Sequence, residues 1–139
     1  MKAKTSVAAV LGFAAICCAA YPAAAAGKFN GSAAMICAAL VVHECAAGET
    51  CQPRLAEDVG LPALFRVDVK AKKVLNLDAE KRKESPIRTS ASVNGRLVLY
   101  GGEAGRGWVV TIHEETGKMT GAVATDGEGY VIFGQCALP

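Results

Sequence analysis

After residue 26 the chain has no sustained i, i+3, i+4 apolar spacing, so no long amphipathic helix organises it. Histidine is nearly absent. His43 and His113 each precede a glutamate, but strand neighbours point to opposite faces, so neither pair converges locally, and both histidines are expected at the surface or rim. No nucleophile elbow and no metalloprotease motif is present. Asp68 and Asp78 fall on a wet face and at a loop start, not together in a cleft. These absences remove the common hydrolytic designs. The expectation is a protein that is not an enzyme, with no cofactor.

Charge of one sign is also missing. Removing Lys2 and Lys4 with residues 1–26 leaves 13 basic and 13 acidic residues, since the whole chain has 15 and 13. Nucleic-acid binders draw affinity from an excess of positive charge over phosphate, so no nucleic-acid partner is expected. The same balance argues against adsorption to anionic lipid.

The one long apolar run is at the start. Lys2 and Lys4 precede Ser6–Ala20, Tyr21-Pro22 breaks the run, and Ala23 to Ala26 are small. This is the pattern of a signal peptide with cleavage near Ala26. The run is shorter than the ~20 residues that span a bilayer, so no stable membrane insertion is expected. Ile16 before Cys17, and Cys17 before Cys18, are not the small residue that a lipid-attachment site requires. The expected address is periplasmic or secreted, with residues 27–139 forming a single domain.

Four cysteines remain in that domain: Cys37, Cys45, Cys51 and Cys136. An even number in a small exported chain reads as two disulfides, with three connectivities available. The chosen pairing joins Cys45 to Cys51 across a short Gly-containing connection, and Cys37 to Cys136 across nearly the whole domain. His43 beside Cys45 and Cys51 invites a zinc reading. The paired cysteines of structural zinc sites are missing, so no metal is expected. No Cys-x-x-Cys supports a redox role.

Strand signals fill the rest. Phe65, Val67 and Val69 alternate with Arg66, Asp68 and Lys70, and Val74–Leu77 follows a tight turn at Ala71-Lys72. Asp78–Ser85 reads as a charged, solvated loop, with Lys81-Arg82-Lys83 as its basic patch. Ile87, Thr89, Ala91 and Val93 alternate up to Asn94-Gly95, which suits a type I′ hairpin turn. Arg96–Tyr100 pairs back. Gly101–Gly107 lacks the Lys-Ser or Lys-Thr of a phosphate loop and is expected to be a wide hairpin loop. Trp108–His113, a run around Met119–Val123 and Tyr130–Cys136 complete a meander, with turns at Glu115–Lys118 and Asp126–Gly129. Met35–Cys45 suits helix or strand and is assigned as a strand. Gln52–Pro62 is a connection, with a helical turn near Leu55–Asp58.

About seven to eight strands at short spacing give an all-β fold, and joining the first to the last favours a small antiparallel barrel over a sandwich. Its interior is either filled or holds one small ligand, and small residues at inward-phase positions, such as Ala91 and Gly121, fit both. Trp108, Arg106 and Tyr100 are the candidate ligand or partner contacts.

The export signal, the Cys45-to-Cys51 clip, "LPALFRVDVKAK" and "GRGWVVTIHEETGKMTGAVATDGEGYVIFGQC" together resemble a group of small secreted bacterial β-proteins of unassigned function. That resemblance implies no catalytic residues. At fold level the chain is also similar to periplasmic inhibitors of C-type lysozyme, small disulfide-bearing barrels that present a Ser-Gly-rich loop. Ser90–Gly95 echoes that loop only in part. Two functional expectations follow. One is a binding module whose surface loops engage a protein partner in the cell envelope, a hydrolase among the candidates. The other is a carrier of a small apolar ligand in the barrel interior.

Overall fold

A computed structural model describes residues 27–78 and 82–139. The signal-peptide assignment at residues 1–26, and Lys81 of the basic patch, lie outside the described residues. Among the described residues nine strands form one antiparallel sheet: β1 (Met35–Ala46), β2 (Gln52–Arg54), β3 (Leu64–Asp68), β4 (Lys73–Asn76), β5 (Glu84–Val93), β6 (Arg96–Glu103), β7 (Arg106–His113), β8 (Lys118–Ala124) and β9 (Glu128–Ala137). Each of β3 to β9 pairs with its neighbour in sequence. β9 returns to β1, closing an eight-stranded barrel.

Closure falls on β1. Along one edge it pairs with β9 from Ile36 to Ala46. Along the other its first half pairs with β3 and its second half with β2, the ninth strand outside the barrel. Cys37 stands in register with Cys136 and is bonded to it, and Cys45 is bonded to Cys51 in the β1–β2 connection. Both pairings agree with the sequence reading. Met35–Ala46 is a strand throughout.

The interior is apolar. Met35, Val67, Leu99, Ile112 and the Cys37–Cys136 bond are almost fully buried. Residues 27–34 close the barrel end that carries the β5–β6 hairpin. There the Phe29 amide donates to the Glu114 carbonyl at 2.8 Å, and Gly31 sits against Val69 and Leu97.

Several local expectations need correction. Gln52–Arg54 is a strand rather than part of a connection, because the Cys45–Cys51 clip folds it back onto β1. The helical turn lies at Glu57–Val59 and ends on Gly60, which has positive φ. The strand expected from Ile87 starts at Glu84 and includes Pro86. Proline is tolerated there because β4 meets β5 over only three residue pairs, Lys73↔Pro86 to Leu75↔Glu84. Gly101–Gly107 is not a wide loop. Gly101 and Gly102 belong to β6 and Gly107 to β7, and the turn is the two-residue Ala104-Gly105, both at positive φ.

Two β-bulges reset the alternation. Leu40 is the extra residue between Ala39 and Val41, and it is exposed while Val42 is buried. Arg88 is the extra residue between Ile87 and Thr89. Ile87 is buried, but Thr89 and Ala91 then pair with Tyr100 and Val98 on the outer wall. Ala91 is therefore exposed and leaves no space inside, whereas Gly121 is buried as expected.

Candidate functional site

The end of the barrel that carries the β6–β7 hairpin is hollow. A cavity of about 150 Å³ lies there, walled by Phe65, Val74, Leu99, Val110, Val123 and Ile132. Leu61 and Pro62, from the connection after the helical turn, form part of its cover. Leu61 donates its amide to the Ala56 carbonyl at 2.8 Å, and Ala56 is itself buried. The polar lining is small: Asn76, Lys83, Ser85, Glu103 and Arg106.

Trp108 forms one side of this space, and the local sequence explains how. An ideal Cβ on Gly101, its cross-strand partner, would overlap the indole ring and the Pro86 carbonyl, so only glycine lets the ring lie flat across β6. The indole Nε1–H donates to Ser85 Oγ at 2.9 Å, fixing the ring plane. The tight Ala104-Gly105 turn then places Arg106 at the rim. Its guanidinium lies close to Gly60 at the end of the helical turn. Among the described residues the ion pairs are Arg54–Glu44 at 2.5 Å and Lys73–Glu84 at 2.7 Å, and Arg106 takes part in neither.

Tyr130 lies near Arg106 but outside the cavity lining. Its ring is buried, and its hydroxyl donates to Glu128 Oε2 at 2.8 Å. That bond to a carboxylate, with burial second, raises the phenol above its ordinary value, while the nearby Arg106 charge opposes the shift.

No family model, no curated protein and no solved structure matches this chain.

Of the three contacts read from the sequence, the structure brings Trp108 and Arg106 together at one cavity and leaves Tyr100 apart. Tyr100 stands on the outer wall, half exposed, because the alternation that turns Leu99 and Gly101 inward turns it outward. His43 and His113 are partly buried strand residues, distant in register and on no shared strand pair. Among the described residues no group of three or more His, Cys, Asp or Glu is placed to hold a metal ion. Among the same residues no helix is long and apolar enough to cross a membrane.

Sequence reasoning missed two features. In sequence Leu99, Val123 and Ile132 are only apolar residues of strand runs, and nothing local says that they surround space. Glu114 stands out in sequence only as a neighbour of His113, yet it is buried at the closed end. Its carboxylate accepts a short hydrogen bond from Ser92 Oγ, and its amide donates to the Gly95 carbonyl at 3.0 Å. The bulge at Arg88 turns Ser92 inward to reach it.

Proposed function

We propose that this protein is a non-catalytic binding module, exported and folded in an oxidising compartment, that takes the apolar body of a small molecule into its barrel mouth. One observation carries the reading: the cavity beside Trp108 has mostly apolar walls and a few polar groups gathered at one rim. Binding sites for small ligands have this composition. A dry apolar cavity of about this volume holds a ring the size of benzene, which sets the scale of the buried part. The two disulfides support the compartment.

The loop-docking alternative loses support from the hairpins. The β5–β6 and β6–β7 turns are two residues each and project little beyond the sheet. A different surface favours a protein partner as a second reading. Two cross-strand rows run around the outer wall: Val41, Phe133, Thr120, Thr111, Val98 and Ala91, and beside them His43, Val131, Ala122, Val109, Tyr100 and Thr89. Apart from His43 and the Tyr100 phenol these rows hold no ionisable side chain, and Val41, Phe133 and Tyr100 are each close to half exposed.

Native mass spectrometry of protein purified from its own cell envelope separates the two. The mouth reading expects a bound small molecule that is lost when Val123→Phe fills the cavity. A protein that is always empty, but that retains a macromolecular partner sensitive to Phe133→Glu, overturns it in favour of the outer wall.

A further inference from the structure

The cavity's apolar walls select for the body of a ligand, and its rim carries information about the head. Three charged side chains line the space: Arg106, Lys83 and Glu103. Two are cationic and one is anionic. Lys83 and Glu103 are exposed, so solvent screens them and their contribution is weak. Arg106 is half buried, at the junction of rim and apolar wall, where a charge interacts more strongly.

The pairing state of Arg106 is the deciding feature. Glu103 faces it directly across the two-residue turn, the register in which opposite charges usually meet. The two form no ion pair, and no other carboxylate among the described residues lies within ion-pairing distance of Arg106. Nor does its guanidinium donate a hydrogen bond to any described residue. A guanidinium carries five N–H donors in a planar fork that matches a carboxylate, and one held at the edge of an apolar space has that fork free. The neighbouring donor, the Trp108 indole N–H, is already committed to Ser85. Asn76 adds a neutral amide to the same lining.

We infer that the ligand class is a small monoanionic amphiphile, a carboxylate on an apolar body of roughly six to eight carbons, with Arg106 holding the carboxylate at the rim and the chain or ring lying against Trp108, Leu99 and Ile132. This rests on the mouth reading proposed above. The size follows from a cavity of about 150 Å³, which admits a benzene-sized group. The single negative charge follows from a rim whose three charges sum to plus one. A neutral apolar molecule fills the same space but leaves the guanidinium without its partner, and a dianion exceeds the available positive charge.

The test uses the whole mature protein and two probes of equal length, hexanoate and 1-hexanol, with affinities measured by calorimetry for the native protein, Arg106→Gln and Arg106→Lys. Arg106→Gln is expected to weaken hexanoate by tenfold or more and to leave 1-hexanol within twofold. Arg106→Lys, which keeps the charge but loses the fork, is expected to fall between. Hexanoate binding to the native protein is expected to weaken as salt rises, and 1-hexanol binding to stay constant. If Arg106→Gln leaves hexanoate unchanged, or weakens both probes alike, the anionic-head inference is overturned while 1-hexanol binding still upholds the cavity. If neither probe binds the native protein, the mouth reading falls and this inference falls with it.

Discussion

Cys37 on the first barrel strand and Cys136 on the last face each other across the seam that closes the sheet, their Cα atoms 4.0 Å apart and their sulfurs joined. The bond ties residues 99 apart in sequence and stands at the register position that brings β1 and β9 together. It joins the two ends of a continuous ladder, because β1 pairs with β3 and each strand from β3 to β9 pairs with the next in sequence. The hollow end exists only while that ring is shut, since β9 and β1 supply Ile132 and Ala39 to its wall.

Opening the seam bond is expected to be costly. Releasing a loop of about 100 residues removes on the order of 4 to 5 kcal/mol by the chain-entropy model, a large share of the ~5 to 15 kcal/mol typical of a domain. Releasing the short Cys45–Cys51 loop removes about 2 kcal/mol on the same model. Urea unfolding of Cys37→Ala/Cys136→Ala and of Cys45→Ala/Cys51→Ala should show that order of loss. Equal losses would mean that the seam is held by strand pairing alone.

Gly101 is the residue on which the placement of Trp108 depends. Gly101→Ala puts a methyl group where the indole lies, and forcing extra atoms into packed space costs about 1 to 3 kcal/mol. Gly107→Ala meets nothing and is expected to stay within about 0.5 kcal/mol of the native protein. Tryptophan emission reports the difference. It should shift to the red in the first variant, as the ring loses Ser85 and enters solvent, and stay unchanged in the second.

Tyr130 gives the fold a limit at alkaline pH. Its folded pKa lies above the ordinary 10.0, first because of the hydrogen bond to Glu128 and then because of burial. The folded protein therefore holds the phenol proton longer than the unfolded chain does. The associated stability is fully present below pH 10 and is lost as pH rises from there through the folded pKa. Absorbance at 295 nm should show a tyrosine step above the ordinary value, and Tyr130→Phe should remove it. A native protein with no such late step would contradict the assignment.

The strands were legible because their periodicity is local. Phe65–Val67, Trp108–Val110–Ile112 and Met119–Gly121–Val123 all turn the face that alternation assigns to them. Asn94-Gly95 announced its turn, and an even number of cysteines announced the disulfides. What local pattern cannot carry is a change of phase. The bulges at Leu40 and Arg88 leave no mark in composition, yet one extra residue reverses every side chain beyond it, which sent Ala91 outward and Ser92 inward. The glycine-rich stretch misled for a related reason. Of its four glycines only Gly105 lies in the turn, beside Ala104, whereas Gly101 is spent on making room for an aromatic ring 7 residues later. The cavity itself is a property of eight strands at once. Trp108 and Arg106 were legible as candidates, and their convergence was not.

Because Trp108 is the only tryptophan, its indole N–H gives a single resonance that reports from inside the mouth. Titrating the folded protein with 1-hexanol while following that resonance by NMR tests the central claim most directly. The account predicts a saturable shift in the native protein that disappears in Val123→Phe, where the space is filled. An indole resonance that stays fixed in the native protein up to the solubility limit of 1-hexanol would show that the mouth does not take an apolar ligand.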